Sequence, residues 1–326
     1  MSLFEALKAR AAQGDARAMV EAGRRMLVGL DAPFSPVEGA ALIEAAAALE
    51  NGQAHHQLAI LCGAGAGRAQ SWGEALDHLQ RAASLNWAPA RGELKFLADR
   101  EGVNWRALRR SISAKDWLRA RPSEIVNDSP RIARVRGFAS ARECAWFKMR
   151  AKPGLTRATV YDEATGGLIP VRERTNTETT FSLVYADLPL LFLQTRLATA
   201  LGAERMAFET TKVLHYEPGQ EFAPHYDFIE TDTPALADSV AREGQRVATA
   251  LVYLNDGYEG GETQFPNLDV SFKGATGDLY WFENIDASGA GDPRTLHAGA
   301  PPTRGEKWVL SQWVREKPSR RSFNAV

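Results

Sequence analysis

At 326 residues the chain is long enough for two domains that each bury a core. Its 39 basic and 40 acidic residues leave a formal net charge of −1, which gives no reason to invoke nucleic acid or an anionic membrane as partner. No apolar run reaches the length of a membrane span, and Cys62 and Cys144 lie too far apart in sequence to form a zinc-type cluster. An N-terminus with Glu5, Lys8 and Arg10 lacks the apolar centre of a signal peptide, so a reducing, cytoplasmic setting is expected.

Residues 5–99 are rich in alanine, leucine and glutamate, a composition that favours helices. Three segments repeat one another, and aligning them on Gly14, Gly52 and Asn86 spaces them as helix pairs are spaced in repeat proteins. In each, the Gly or Asn is predicted to make the turn between two helices. This pattern resembles the Sel-one-like branch of tetratricopeptide repeats and sets residues 1–100 apart as one domain. Such arrays often hold a peptide or protein on a concave face; the alternative is a buttress or a dimer contact. His55, His56 and His78 are read as packing or surface residues, because no carboxylate or cysteine cluster accompanies them.

Residues 101–128 read as an arginine-rich linker with a short helix or two. At Ser140 to Glu143 a capping box opens a helix through about Arg150, which Gly154 stops. Beyond it the pattern changes to short alternating strands over Thr156–Tyr161, Thr179–Val184, Met206–Tyr216, Glu221–Phe228, Arg246–Leu254, Asp278–Phe282, Thr295–Ala298 and Glu306–Val314. A helix is predicted over Leu188–Leu201, and a covering loop over Glu230–Gln245. Gly260 and Gly261 suggest a tight hairpin. The fold class expected is an N-terminal α-helical repeat array followed by a double-stranded β-helix, or jelly roll, over 129–318, with 319–326 as a tail.

Within this second domain, His225-Tyr226-Asp227 stands in an alternating apolar run. A strand has a period of two, so His225 and Asp227 are predicted to share a face and a metal. With the downstream His297 they form a two-histidine, one-carboxylate set, the pattern of non-heme Fe(II) oxygenases. On the last strand Lys307, Val309, Ser311, Trp313 and Arg315 share one face. If that face lines the barrel, the Lys307 ammonium can reach a dicarboxylate held at the metal. Thr249 offers a hydroxyl to the same pocket from a neighbouring strand, whereas His215 is expected to face away.

In order and spacing, the stretches Tyr216-x-x-Gly219, Pro224-His225-Tyr226-Asp227, Arg246-x-x-Thr249, Gly260-Gly261-Glu262-Thr263, Leu296-His297-Ala298-Gly299 and Gly305-Glu306-Lys307-Trp308 resemble the prolyl 4-hydroxylase family of Fe(II)/2-oxoglutarate dioxygenases. The resemblance covers about 129–316. It implies iron on His225, Asp227 and His297, the distal carboxylate of 2-oxoglutarate on Lys307, and cosubstrate contacts from Tyr216 and Thr249. Trp313 would line the pocket, and Arg174 would stand near the substrate groove. O2 is the oxidant, with ascorbate as reductant. The implied reaction couples decarboxylation of 2-oxoglutarate to hydroxylation of a C–H bond, that of a prolyl residue in a protein or peptide held by the repeats. The alternatives are a hydroxylase of a free amino acid or other small molecule, and a repeat scaffold whose barrel binds metal without turnover. The arginine-rich tail motif of DNA-demethylating relatives is absent, so no nucleic acid partner and no membrane partner are expected.

Overall fold

A computed structural model describes residues 2–162 and 167–318; the tail, 319–326, lies outside them. The chain divides into two compact units, one formed by residues 2–119 with Ser182–Arg196, the other by Ala120–Phe181 with residues 197–318.

In the first unit, helices cover Leu3–Ala12, Ala16–Val28, Pro36–Ala48, Gly52–Ala64, Trp72–Ser84 and Ala88–Ala98, and sequence neighbours pack on one another. Asp15, Asn51 and Ser71 cap helix starts by accepting backbone N–H groups, as short polar side chains do. Gly14 (φ 88°) and Asn86 (φ 65°) make left-handed turns where the repeat alignment places them. In the middle repeat that conformation belongs to Glu50 (φ 58°), not Gly52. Gly52 instead begins a helix, where a Cβ would stand 3.1 Å from Trp87 Cβ, so its lack of a side chain serves packing. Short helices at Trp105–Ser111 and Ala114–Trp117 occupy the stretch read as a linker.

Glu93, which is buried, and Arg24, which is half-buried, tie Ser182–Arg196 into this unit. Glu93, 3% exposed, faces His56 Nε2 with Oε1 and accepts the Leu188 N–H with Oε2 at 3.2 Å. Arg24 donates to the Val184 carbonyl, and Trp72 stacks on Phe192 with centroids 4.0 Å apart. The helix predicted over Leu188–Leu201 is present with those ends.

The second unit contains β1 (Glu124–Asp128), β2 (Arg131–Val135), β3 (Thr156–Arg157), β4 (Val160–Asp162), β5 (Gly167–Ile169), β6 (Thr177–Phe181), β7 (Thr211–Tyr216) and β8 (Phe222–His225). It continues with β9 (Arg246–Tyr253), β10 (Glu259–Gly260), β11 (Thr263–Phe265), β12 (Val270–Phe272), β13 (Leu279–Glu283), β14 (His297–Gly299), β15 (Pro302–Arg304) and β16 (Lys307–Arg315). The larger antiparallel sheet has the order β1-β2-β13-β9-β16-β7-β6-β3, and a smaller one runs β12-β11-β14-β8. Together they form the double-stranded β-helix that the strand pattern predicts. Ile132, Tyr253, Phe265, Phe272, Tyr280, Phe282 and Val309 make its core.

Three readings of the sequence change here. The supposed end of the linker is β1, the exposed edge of the larger sheet. The supposed loop 230–245 contains a helix, Pro234–Glu243, with Thr233 as its cap and Gly244 (φ 71°) at its stop. Gly260 and Gly261 both have positive φ, but they do not close a hairpin. They turn the chain from β10, which pairs with β15, to β11, which pairs with β12 and β14. Among the described residues no helix is long and apolar enough to cross a membrane.

Candidate active site

His225 ends β8 and His297 begins β14, and the two are directly paired across the smaller sheet. Asp227 lies just past the end of β8, so a bend rather than strand pleating brings its carboxylate to the histidines. Its Oδ1 is 3.6 Å from His225 Nε2 and its Oδ2 is 3.5 Å from His297 Nε2. One ligand atom from each of the three lies within 4.8 Å of the others.

The outer ring nitrogens show what the inner ones can do. His225 Nδ1 is 2.8 Å from the Ala223 carbonyl, and His297 Nδ1 is 3.0 Å from the Thr295 carbonyl. A carbonyl only accepts, so each Nδ1 carries the proton and each Nε2 presents a lone pair inward. Burial, and then the adjacent His297 ring, hold His225 below the usual imidazole range, which favours this neutral form. Burial opposes ionisation of Asp227, yet its carboxyl is held well below the usual carboxylate range by His297 and then His225 whenever those rings carry a second proton. Phe222 stacks on His225 at 3.5 Å between centroids, while Phe265 and Phe282 flank His297. Two neutral imidazoles and one carboxylate, oriented before any ligand arrives, are a donor set suited to Fe(II).

Behind Asp227 stands Thr249, on β9. Its hydroxyl donates to Asp227 Oδ2 at 2.7 Å and accepts from Asn284 Nδ2 at 3.0 Å. The hydroxyl that the sequence offers to cosubstrate thus directs its one proton at Asp227 in this structure. Nothing in the sequence singles out Asn284, which comes into play only through the β9–β13 pairing.

The predicted face of β16 does line the cavity. Lys307, paired with Tyr216 across β16 and β7, borders the same space as the three candidate ligands, and so does Trp313. Lys307 is 2% exposed, with its ammonium 5.0 Å from the Tyr216 ring centroid and 5.9 Å from that of Tyr253. Burial pushes Lys307 down to about 7, opposed only by the field of Glu262. Burial also pushes the Tyr216 phenol up to about 12. Arg174 lines the cavity too, stacked on Phe222 and bound to Glu178 at 2.5 Å. His215 faces away, against Trp308, as its place in the strand predicts. Arg246 places its guanidinium over the Trp313 ring, 4.0 Å from the centroid, and donates through two nitrogens to Glu209, an arrangement that sequence spacing does not reveal.

A sequence profile of the 2OG-Fe(II) oxygenase superfamily matches residues 211–315, the span that carries every one of these groups except Arg174, Glu178 and Glu209. Prolyl 4-hydroxylase 1 of Arabidopsis thaliana is 35% identical over 208 residues, which are 60% of this chain and 72% of that protein. The chain belongs to the prolyl 4-hydroxylase family. As a member it is a dioxygenase that uses Fe(II), 2-oxoglutarate and O2. Prolyl 4-hydroxylase subunit alpha-1 of Rattus norvegicus is 31% identical over 244 residues; the match takes in 72% of this chain but only 45% of the rat subunit. Among solved structures, the viral collagen prolyl hydroxylase of Paramecium Bursaria Chlorella virus-1, in its 2OG complex, aligns at a TM-score of 0.46. It is 29% identical, over 58% of this chain and 98% of the viral one.

Proposed function

We propose that this dioxygenase hydroxylates prolyl residues in a protein or peptide. The observation that carries the reading is the convergence of His225 Nε2, His297 Nε2 and the Asp227 carboxylate beside a buried lysine lacking a carboxylate partner among the described residues. In this reading those three groups hold the iron, and Thr249 with Asn284 fixes the Asp227 carboxylate. Lys307 receives the distal carboxylate of 2-oxoglutarate, and Tyr216 stands beside that carboxylate as a neutral phenol. Bound Fe(II), with 2-oxoglutarate and O2, supplies the oxidising power that releases succinate and carbon dioxide and hydroxylates a C–H bond.

The remaining residues orient the substrate and keep water out. Trp313, backed by the Arg246 guanidinium, is the wall against which the target ring packs, and Arg174 stiffens the facing wall through Glu178. The helical unit is assigned the presentation of a protein substrate, and ascorbate the role of sustaining turnover. The test is incubation with Fe(II), 2-oxoglutarate and proline-containing peptides, followed by mass spectrometry. One oxygen added at proline for each succinate formed supports the reading. Succinate coupled instead to hydroxylation of free amino acids would replace it.

A further inference from the structure

On β7, Lys212, Leu214 and Tyr216 alternate onto one face, and all three line the cavity. Tyr216 sits opposite Lys307, at the end assigned to 2-oxoglutarate, whereas Lys212 sits opposite Ser311. Four residues of strand separate the two ends by roughly 13 Å.

At the Lys212 end the charges do not balance. Glu178 serves two cations at once: its Oε2 takes Arg174 at 2.5 Å and its Oε1 takes Lys212 Nζ at 2.7 Å. Side-chain exposures of 3% for Arg174, 7% for Glu178 and 14% for Lys212 put the trio largely out of water. Arg174 is otherwise satisfied, donating to the Thr159 carbonyl and to Asn176 Oδ1. Lys212 has three N–H donors and, among the described residues, one acceptor. The nearby Arg246 pairs with Glu209, which Arg315 also approaches at 3.6 Å, and the Asp227 carboxylate is turned to Thr249 and the two histidines rather than to Lys212. One positive charge and two donors are thus left at the cavity wall, beside Ser311 and 5.6 Å from the Trp313 ring. A poorly hydrated, incompletely compensated cation favours an anionic partner.

We propose that the cavity selects prolyl substrates bearing a side-chain carboxylate next to the target proline, and that Lys212 receives it. The inference rests on the prolyl reading above and adds a specificity rule to it. The test uses matched short peptides with one proline and either glutamate or glutamine beside it, placed on each side in turn. The wild-type enzyme is expected to favour one glutamate peptide by roughly tenfold in kcat/KM, mostly through KM. Lys212→Gln should abolish that preference, and Lys212→Arg should retain it. Equal kcat/KM on glutamate and glutamine peptides in the wild type would overturn the inference and leave the prolyl reading standing. A preference that survives Lys212→Gln would overturn the assignment to Lys212. Hydroxylation of none of the peptides would overturn the prolyl reading itself, and this inference with it.

Discussion

Thr249 gives its only hydroxyl proton to Asp227 Oδ2 over 2.7 Å, while its own oxygen accepts from Asn284 Nδ2 at 3.0 Å. The relay fixes the direction of the hydroxyl and so the rotation of the Asp227 carboxylate. Thr249→Val keeps the shape of the side chain but removes the donor. Iron affinity, measured by equilibrium dialysis, is expected to fall about 10- to 100-fold, with Thr249→Ser close to wild type. Unchanged affinity in the valine variant would show that the carboxylate is held by other means.

Lys307 leads to a pH dependence. Its ammonium, pushed by burial to about 7, is the form that attracts a carboxylate, so binding above that pH must take up a proton. The dissociation constant for 2-oxoglutarate, measured anaerobically by calorimetry, should be flat below pH 7. Above it, the constant should rise roughly tenfold per pH unit. Lys307→Ala should weaken 2-oxoglutarate by about 2–5 kcal/mol while leaving iron binding near wild type. A flat profile to pH 9 would mean that the ammonium persists in the free protein.

Glu93 leads to a prediction about stability. It is 3% exposed and meets both His56 and the Leu188 N–H. Glu93→Ala strands two buried polar groups, and chemical denaturation should show a loss of about 2–4 kcal/mol. Limited proteolysis should then cut first between residues 182 and 188. A loss below 0.5 kcal/mol, within the ordinary range for a surface change, would contradict this role.

What could be read from the sequence was local. The capping box at Ser140 and Glu143 forms as predicted, and the alternation on β16 correctly places Lys307 and Trp313 toward the cavity. The helix Pro234–Glu243 carries local signals of its own: Thr233 as cap, Pro234 in the first turn and Gly244 at the stop. Positive φ at Gly260 and Gly261 could be anticipated from residue type, but not which sheet the next strand joins. That choice depends on pairing partners about 40 residues onward, at β14 and β15. Likewise, Asn284 behind Thr249 and Glu209 behind Arg246 are contacts between residues far apart in sequence that carry no local pattern.

The place of Leu188–Leu201 bears on truncation. Trp72 stacks on Phe192, and a Cβ at Gly63 would lie 3.1 Å from Leu188 and 3.2 Å from Leu191. A chain beginning at Ser129 loses these partners and exposes several fully buried apolar side chains. Such a chain is expected to be insoluble or aggregated by size-exclusion chromatography. A monodisperse chain that still binds iron and 2-oxoglutarate would show that the helical residues are dispensable for folding.

We propose that His225, Asp227 and His297 together hold the iron that couples 2-oxoglutarate to prolyl hydroxylation. The most direct measurement follows succinate and hydroxyproline from one prolyl peptide, in the wild type and in Asp227→Ala, with bound iron determined in both. The wild type should carry one Fe(II) per chain and form the two products in equal amounts, while Asp227→Ala should lose the iron and both products. Iron content and turnover at the wild-type level in Asp227→Ala would contradict the account.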